Sequence, residues 1–156
     1  ASCLVGSEMC IRDSFNPTDV NATVAFADAG GTKQVNFGQE SYSFDETTTA
    51  ESHSVTFTFA EANKTTDTWV FTVTVTNTFA AGSDITIDSK LTATVSAESN
   101  FEVEIKVGEE AAQATEVVTQ GTPVVYTITV SVKDSAPAKA FTDSLNFSLN
   151  LTQTQA

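Results

Sequence analysis

Leu145-Asn146-Phe147-Ser148-Leu149-Asn150-Leu151 alternates apolar and polar residues without a break. A period of two places alternate side chains on opposite faces of an extended chain, so this stretch predicts a β-strand with one dry face and one wet face. The same pattern fills Val20–Phe26, Val55–Phe59, Trp69–Val75, Phe101–Val107 and Val124–Val132. Thr stands on the wet side of most of these runs, where a β-branched side chain suits a pleated surface. No segment keeps a helical period. Short polar turns between alternating runs predict an all-β fold, a jelly-roll-like antiparallel β-sandwich.

The chain has 156 residues, enough for one domain with a sizeable core. Its 11 Phe make that core aromatic-rich. Seven basic residues against 20 acidic ones give a net charge of −13. A chain this acidic repels phosphate backbones and anionic lipid, so no nucleic-acid partner is expected. No apolar run approaches the roughly 18 residues that a membrane-spanning helix needs, so no membrane span is expected.

Turn chemistry divides the chain. Gly30-Gly31 reads as a turn, followed by a short strand at Val35 and Phe37 that stops at Gly38. Tyr42 and Phe44 continue that strand or form an edge piece, and residues 45–54 are polar enough to read as loop. Residues 61–67, Gly82-Ser83, residues 109–116 and Lys133–Pro137 read as further connections.

The two cysteines, the only Met and the only Arg all lie between Cys3 and Ser14, a composition unlike the remainder. This stretch reads like translated sequencing adapter, in which case cysteine arithmetic carries nothing. A genuine segment would let Cys3 and Cys10 close a small disulfide loop outside the cell.

Four Asn-X-Ser/Thr sequons occur, at Asn21, Asn63, Asn146 and Asn150. Three fall on the polar side of predicted strands and Asn63 falls in a predicted loop. Sugars at all four would leave the core undisturbed, which points to a secretory route; chance occurrence in a chain rich in Asn and Thr is the alternative.

Little here supports catalysis, and the chain is not expected to be an enzyme. His53 is the only histidine, between two serines in a predicted polar loop, without a positioned partner. One histidine and no metal-ligand spacing leave no metal site, and no cofactor is expected. Asp84 with Asp88, Glu109 with Glu110, and Asp45 with Glu46 are acidic pairs of the chemistry that calcium takes. No EF-hand pattern joins them, and solvated charge is the simpler reading. Trp69 sits in the apolar register of its strand and reads as core.

Gly121–Pro137 followed by Leu145–Gln155 resembles the C-terminal half of the TasA/camelysin-type extracellular fibre proteins. Phe57–Ala60 and Trp69–Asn77 are similar to that family's early core strands, and archaeal bundling pilins resemble the same group. The resemblance covers roughly residues 55–156. It implies a jelly-roll sandwich with an N-terminal donor strand, which polymerises outside the cell or on its surface. Each subunit's N-terminal segment would complete the sheet of a neighbour, so the expected partner is the chain itself, as a homopolymer.

On this reading residues 1–26 form an N-terminal extension and 27–156 the sandwich domain. Donor anchors are Val20, Val24 and Phe26; with a genuine head segment they are Leu4, Val5, Met9 and Ile11. An ordinary strand within its own domain is an equal reading of Val20–Phe26. Two rivals stand beside the filament subunit. One is the globular domain of a type IV-like archaeal pilin or archaellin that has lost its N-terminal helix. The other is a monomeric cell-surface binding or S-layer domain.

Overall fold

A computed structural model describes residues 20–35, 37, 41–47, 50–62, 65–96, 98–136 and 141–155. Ten strands appear among the described residues: β1 (Ala22–Gly31), β2 (Ser41–Thr47), β3 (Ala50–Ala62), β4 (Thr68–Asn77) and β5 (Ile85–Thr94) come first. They are followed by β6 (Phe101–Val107), β7 (Glu110–Ala111), β8 (Glu116–Val118), β9 (Val124–Val132) and β10 (Phe141–Gln155). Sheet A has the order β1-β4-β9-β6-β7 and sheet B the order β2-β3-β10-β5-β8. Every pair of neighbouring strands is antiparallel. The antiparallel β-sandwich expected from the sequence is present. Only the hairpins β2–β3 and β6–β7 stay within one sheet; the remaining connections cross between the sheets.

Alternation in the sequence becomes alternation in burial. Along β4 the inward residues Trp69, Phe71, Val73 and Val75 are buried, while Thr72, Thr74 and Thr76 between them are half-exposed. β9 and β10 repeat the pattern through Tyr126, Ile128, Val130 and Leu145, Phe147, Leu149, Leu151. Aromatic rings join the two sheets. Phe57 of β3 meets Phe71 of β4 with ring centroids 4.8 Å apart, and Phe59 meets Trp69 at 5.0 Å. Phe101 stands edge-on to Trp69 at 5.6 Å. Such pairs add about 0.5–1.5 kcal/mol each beyond area burial.

The fold departs from the sequence expectations within residues 109–116, where Glu110–Ala111 pair with β6 and Glu116 opens β8 instead of lying in a connection, and at three further places. Residues 45–54 are largely strand rather than loop, because β2 and β3 form a hairpin whose partners run from Ser41↔Thr56 to Thr47↔Ala50. Ladder pairing of β2 with β3, and of residues 50–54 with the long β10, holds this polar segment extended. His53 therefore lies in β3, its backbone opposite Leu149 and Phe44. Val35 and Phe37 lie outside the strands, in the crossover from sheet A to sheet B. There Val35 is buried and the Phe37 ring packs on Phe26 and Phe57. Gly30 and Gly31 do not reverse the chain. They end β1 at a bulge, with φ of 112° and 94°.

Candidate assembly edges

β1 lies last in sheet A among the described residues. It pairs with β4 of its own chain, Ala22 opposite Asn77, Val24 opposite Val75 and Phe26 opposite Val73. Val20, Ala22, Val24 and Phe26 face inward; Val20 is buried and the others half-buried. Phe26 reaches furthest, its ring 6.5 Å from Phe37 and 6.0 Å from Phe57. It roofs a small all-apolar crevice walled by Val55, Phe57, Phe71, Leu91 and Leu149. Val24 and Phe26 thus share the inner face of β1, and Val20 is buried just before it. Leu4, Val5, Met9, Ile11, Cys3 and Cys10 lie outside the described residues.

The downstream end of β1 is fixed firmly. Register shifts between Asp28 and Gly30, and the Gly30 N–H donates to Asp28 Oδ1 at 2.9 Å. A Cβ on Gly31 would lie 2.7 Å from the Thr68 carbonyl oxygen, so only glycine permits this approach. Thr32 and Thr68 then clasp each other. The Thr32 N–H donates to Thr68 Oγ1 at 3.0 Å, and the Thr68 N–H donates to Thr32 Oγ1 at 2.8 Å. The Lys33 N–H adds a bond to the Thr68 carbonyl at 2.9 Å. The chain is pinned from Gly31 onward. Between Ala22 and Asp28 the strand is held by its ladder to β4 and by its inward side chains.

The outer face of sheet B is polar along β10. Asn146 and Asn150 are both exposed on β10, the central strand, with Asn146 between Thr56 and Thr94 and Asn150 between Ser52 and Lys90. The Thr56 hydroxyl donates to Asn146 Oδ1. Asn21 is exposed just before β1, and Asn63 lies outside the described residues.

Three polar clusters escaped the sequence reading. Tyr126 Oη and Ser89 Oγ share a hydrogen bond of 2.7 Å between the sheets. Burial pushes the Tyr126 phenol above its ordinary range; the Ser89 bond opposes that shift and the Glu116 charge adds to it. Asn77 ends β4 buried. Its Nδ2 donates to the carbonyls of Ile85 at 2.9 Å and Val118 at 3.1 Å, and its Oδ1 accepts from the Phe79 N–H at 3.0 Å. Gln120 Nε2 donates to the Ala80 carbonyl at 2.6 Å, and its Oε1 accepts from the Gly82 N–H at 3.2 Å. The only signal for the Asn77 and Gln120 roles was an amide side chain at the edge of an apolar run.

Among the described residues no group of three or more His, Cys, Asp or Glu side chains gathers where a cation would sit. No described helix is long and apolar enough to cross a membrane. No protein-family model, curated protein or solved structure matches the chain.

Proposed function

We propose that this protein is a structural, non-enzymatic subunit of an extracellular filament, polymerised head to tail by strand donation. β1 of one copy would seat on β4 of the next, in the register that a single chain adopts on itself. The observation that supports this reading is the construction of β1. Its inward side chains fill an apolar edge, and a double-glycine bulge separates them from a firmly pinned crossover. Rotation about Gly30, whose surroundings are open, would redirect the strand without disturbing Gly31, Thr32 or Thr68. Exchange of an identical element costs little, since the ladder given up within one chain forms again between two. Because donor and acceptor are different surfaces, donation from each copy to the next is head to tail, and with a rotation that does not close into a ring it propagates as an open filament. The crossovers between sheets are the feature the fold has in common with a jelly roll.

Electron microscopy of the purified chain tests the reading. Filaments are expected from the full chain and absent after deletion of residues 1–26. Filaments that persist after the deletion would reject β1 as donor. Glycans would decorate the outer face of sheet B; Asn146→Gln and Asn150→Gln should each lower the intact mass of the secreted protein by one glycan, and unchanged masses would remove that feature.

One observation favours a second reading. β1 already closes sheet A within its own chain. A monomeric cell-surface domain would look the same, and it would stay monomeric at every concentration.

A further inference from the structure

β5 has ten residues, but among the described residues its outer edge is covered for only three of them. β10 pairs with it along its whole length, from Ile85 to Thr94. On the other side β8 reaches only Ile87, Asp88 and Ser89. Among the described residues no strand pairs with Lys90–Thr94 on that side. The inner face shows the consequence. Ile87 and Ser89 are fully buried, yet Leu91 and Ala93 in the same row are only half-buried. Val103 and Ile105 of β6, in the opposite sheet, are half-buried too. An unpaired edge beside an incompletely covered apolar row is a template for another strand.

We propose that two copies of this chain pair through this edge, β5 against β5, antiparallel about a two-fold axis centred on Thr92. The sequence of the edge is self-complementary in that register. Lys90 meets Thr94 of the second copy, Leu91 meets Ala93, and Thr92 meets Thr92. No like charges face each other, and β-branched and apolar cross-strand pairs stabilise such a ladder. Residues 89–97 contain no acidic side chain in a chain that has 20 Asp and Glu. This edge is therefore where a second copy with a charge of −13 meets little repulsion. β8 also sets the register, because a strand that slid toward Asp88 would run into it. Sheet B of each copy would continue into the other, covering Leu91 and Ala93 on both sides.

This interface uses neither β1 nor β4, and a two-fold interface closes on itself. It stands or falls separately from strand donation.

Thr92 is exposed on the outer face, so its replacement leaves the core untouched. Under mild oxidation of the full chain, Thr92→Cys should link copies through a disulfide between the two substituted positions, identified by peptide mass spectrometry. Lys90→Cys should link roughly tenfold less, because its own counterpart is displaced by four residues across the axis, beyond the reach of a disulfide. Light scattering supplies the second arm. Thr92→Asp and Thr92→Lys should each shift the paired species to single copies, and an equimolar mixture of the two should restore pairing. Filaments that remain in Thr92→Asp but no longer associate in pairs would support both proposals. Absence of filaments alone, with the Thr92→Cys link still forming, would count against strand donation only. A wild-type chain that stays single, or equal linking by the two cysteine variants, would overturn the β5 pairing.

Discussion

Tyr126 shows how one side chain ties the two sheets together. Its hydroxyl and that of Ser89 satisfy each other at 2.7 Å where both residues are fully buried. Tyr126→Phe keeps the ring and leaves the Ser89 hydroxyl without that partner. The expected loss is about 1–3 kcal/mol, read from urea unfolding. The same residue sets an alkaline limit. Burial raises its proton affinity in the folded chain above the ordinary value of 10.0 in the unfolded chain. The unfolded chain therefore releases the proton first as pH rises. The contribution is whole below about pH 10 and is lost as pH climbs through the folded value. Unfolding free energy should fall above about pH 10, and Tyr126→Phe should flatten that slope; an unchanged slope would contradict the assignment. Gly31 plays the matching part in the backbone. Gly31→Ala forces a Cβ against the Thr68 carbonyl at a φ of 94°. It should destabilise the protein by about 1–3 kcal/mol, and a neutral result in the same urea experiment would show that β1 is not pinned there.

At the scale of elements, Asn77 fastens the end of β4 to the start of β5 and to β8. Asn77→Ala abandons the Ile85 and Val118 carbonyls together and should cost about 1–3 kcal/mol, measured by thermal or urea unfolding. A variant as stable as the parent would mean that water replaces the amide without penalty. The strands themselves were legible wherever one face is dry. Trp69–Val75, Phe101–Val107, Val124–Val132 and Leu145–Leu151 carry their burial pattern openly in the sequence. The β2–β3 hairpin was hidden because residues 45–54 lack that contrast, and their pairing with each other and, from Ala50 onward, with β10 decides their conformation. Val35 and Phe37 looked like a strand because two apolar residues with one between them satisfy either a strand or a packed crossover. The candidate donor face was readable as an alternating apolar row. The open edge of β5 was not, because it depends on how short β8 is and on which strand lies next to it.

For the whole molecule, the central question is whether β1 seats within its own chain or on the next. Sequence periodicity cannot separate these cases, since the same side chains fill the same edge in both. The register offers a direct measurement. Ala25 lies opposite Thr74 on the outer face, where cysteines leave the core intact. Ala25→Cys and Thr74→Cys chains can be made separately, unfolded together, allowed to assemble and then oxidised. Strand donation predicts a disulfide between the two different chains, joining residues 25 and 74, and a covalent ladder when both substitutions share one chain. A doubly substituted chain that closes the bond only on itself, together with no linked product from the mixture, would contradict it.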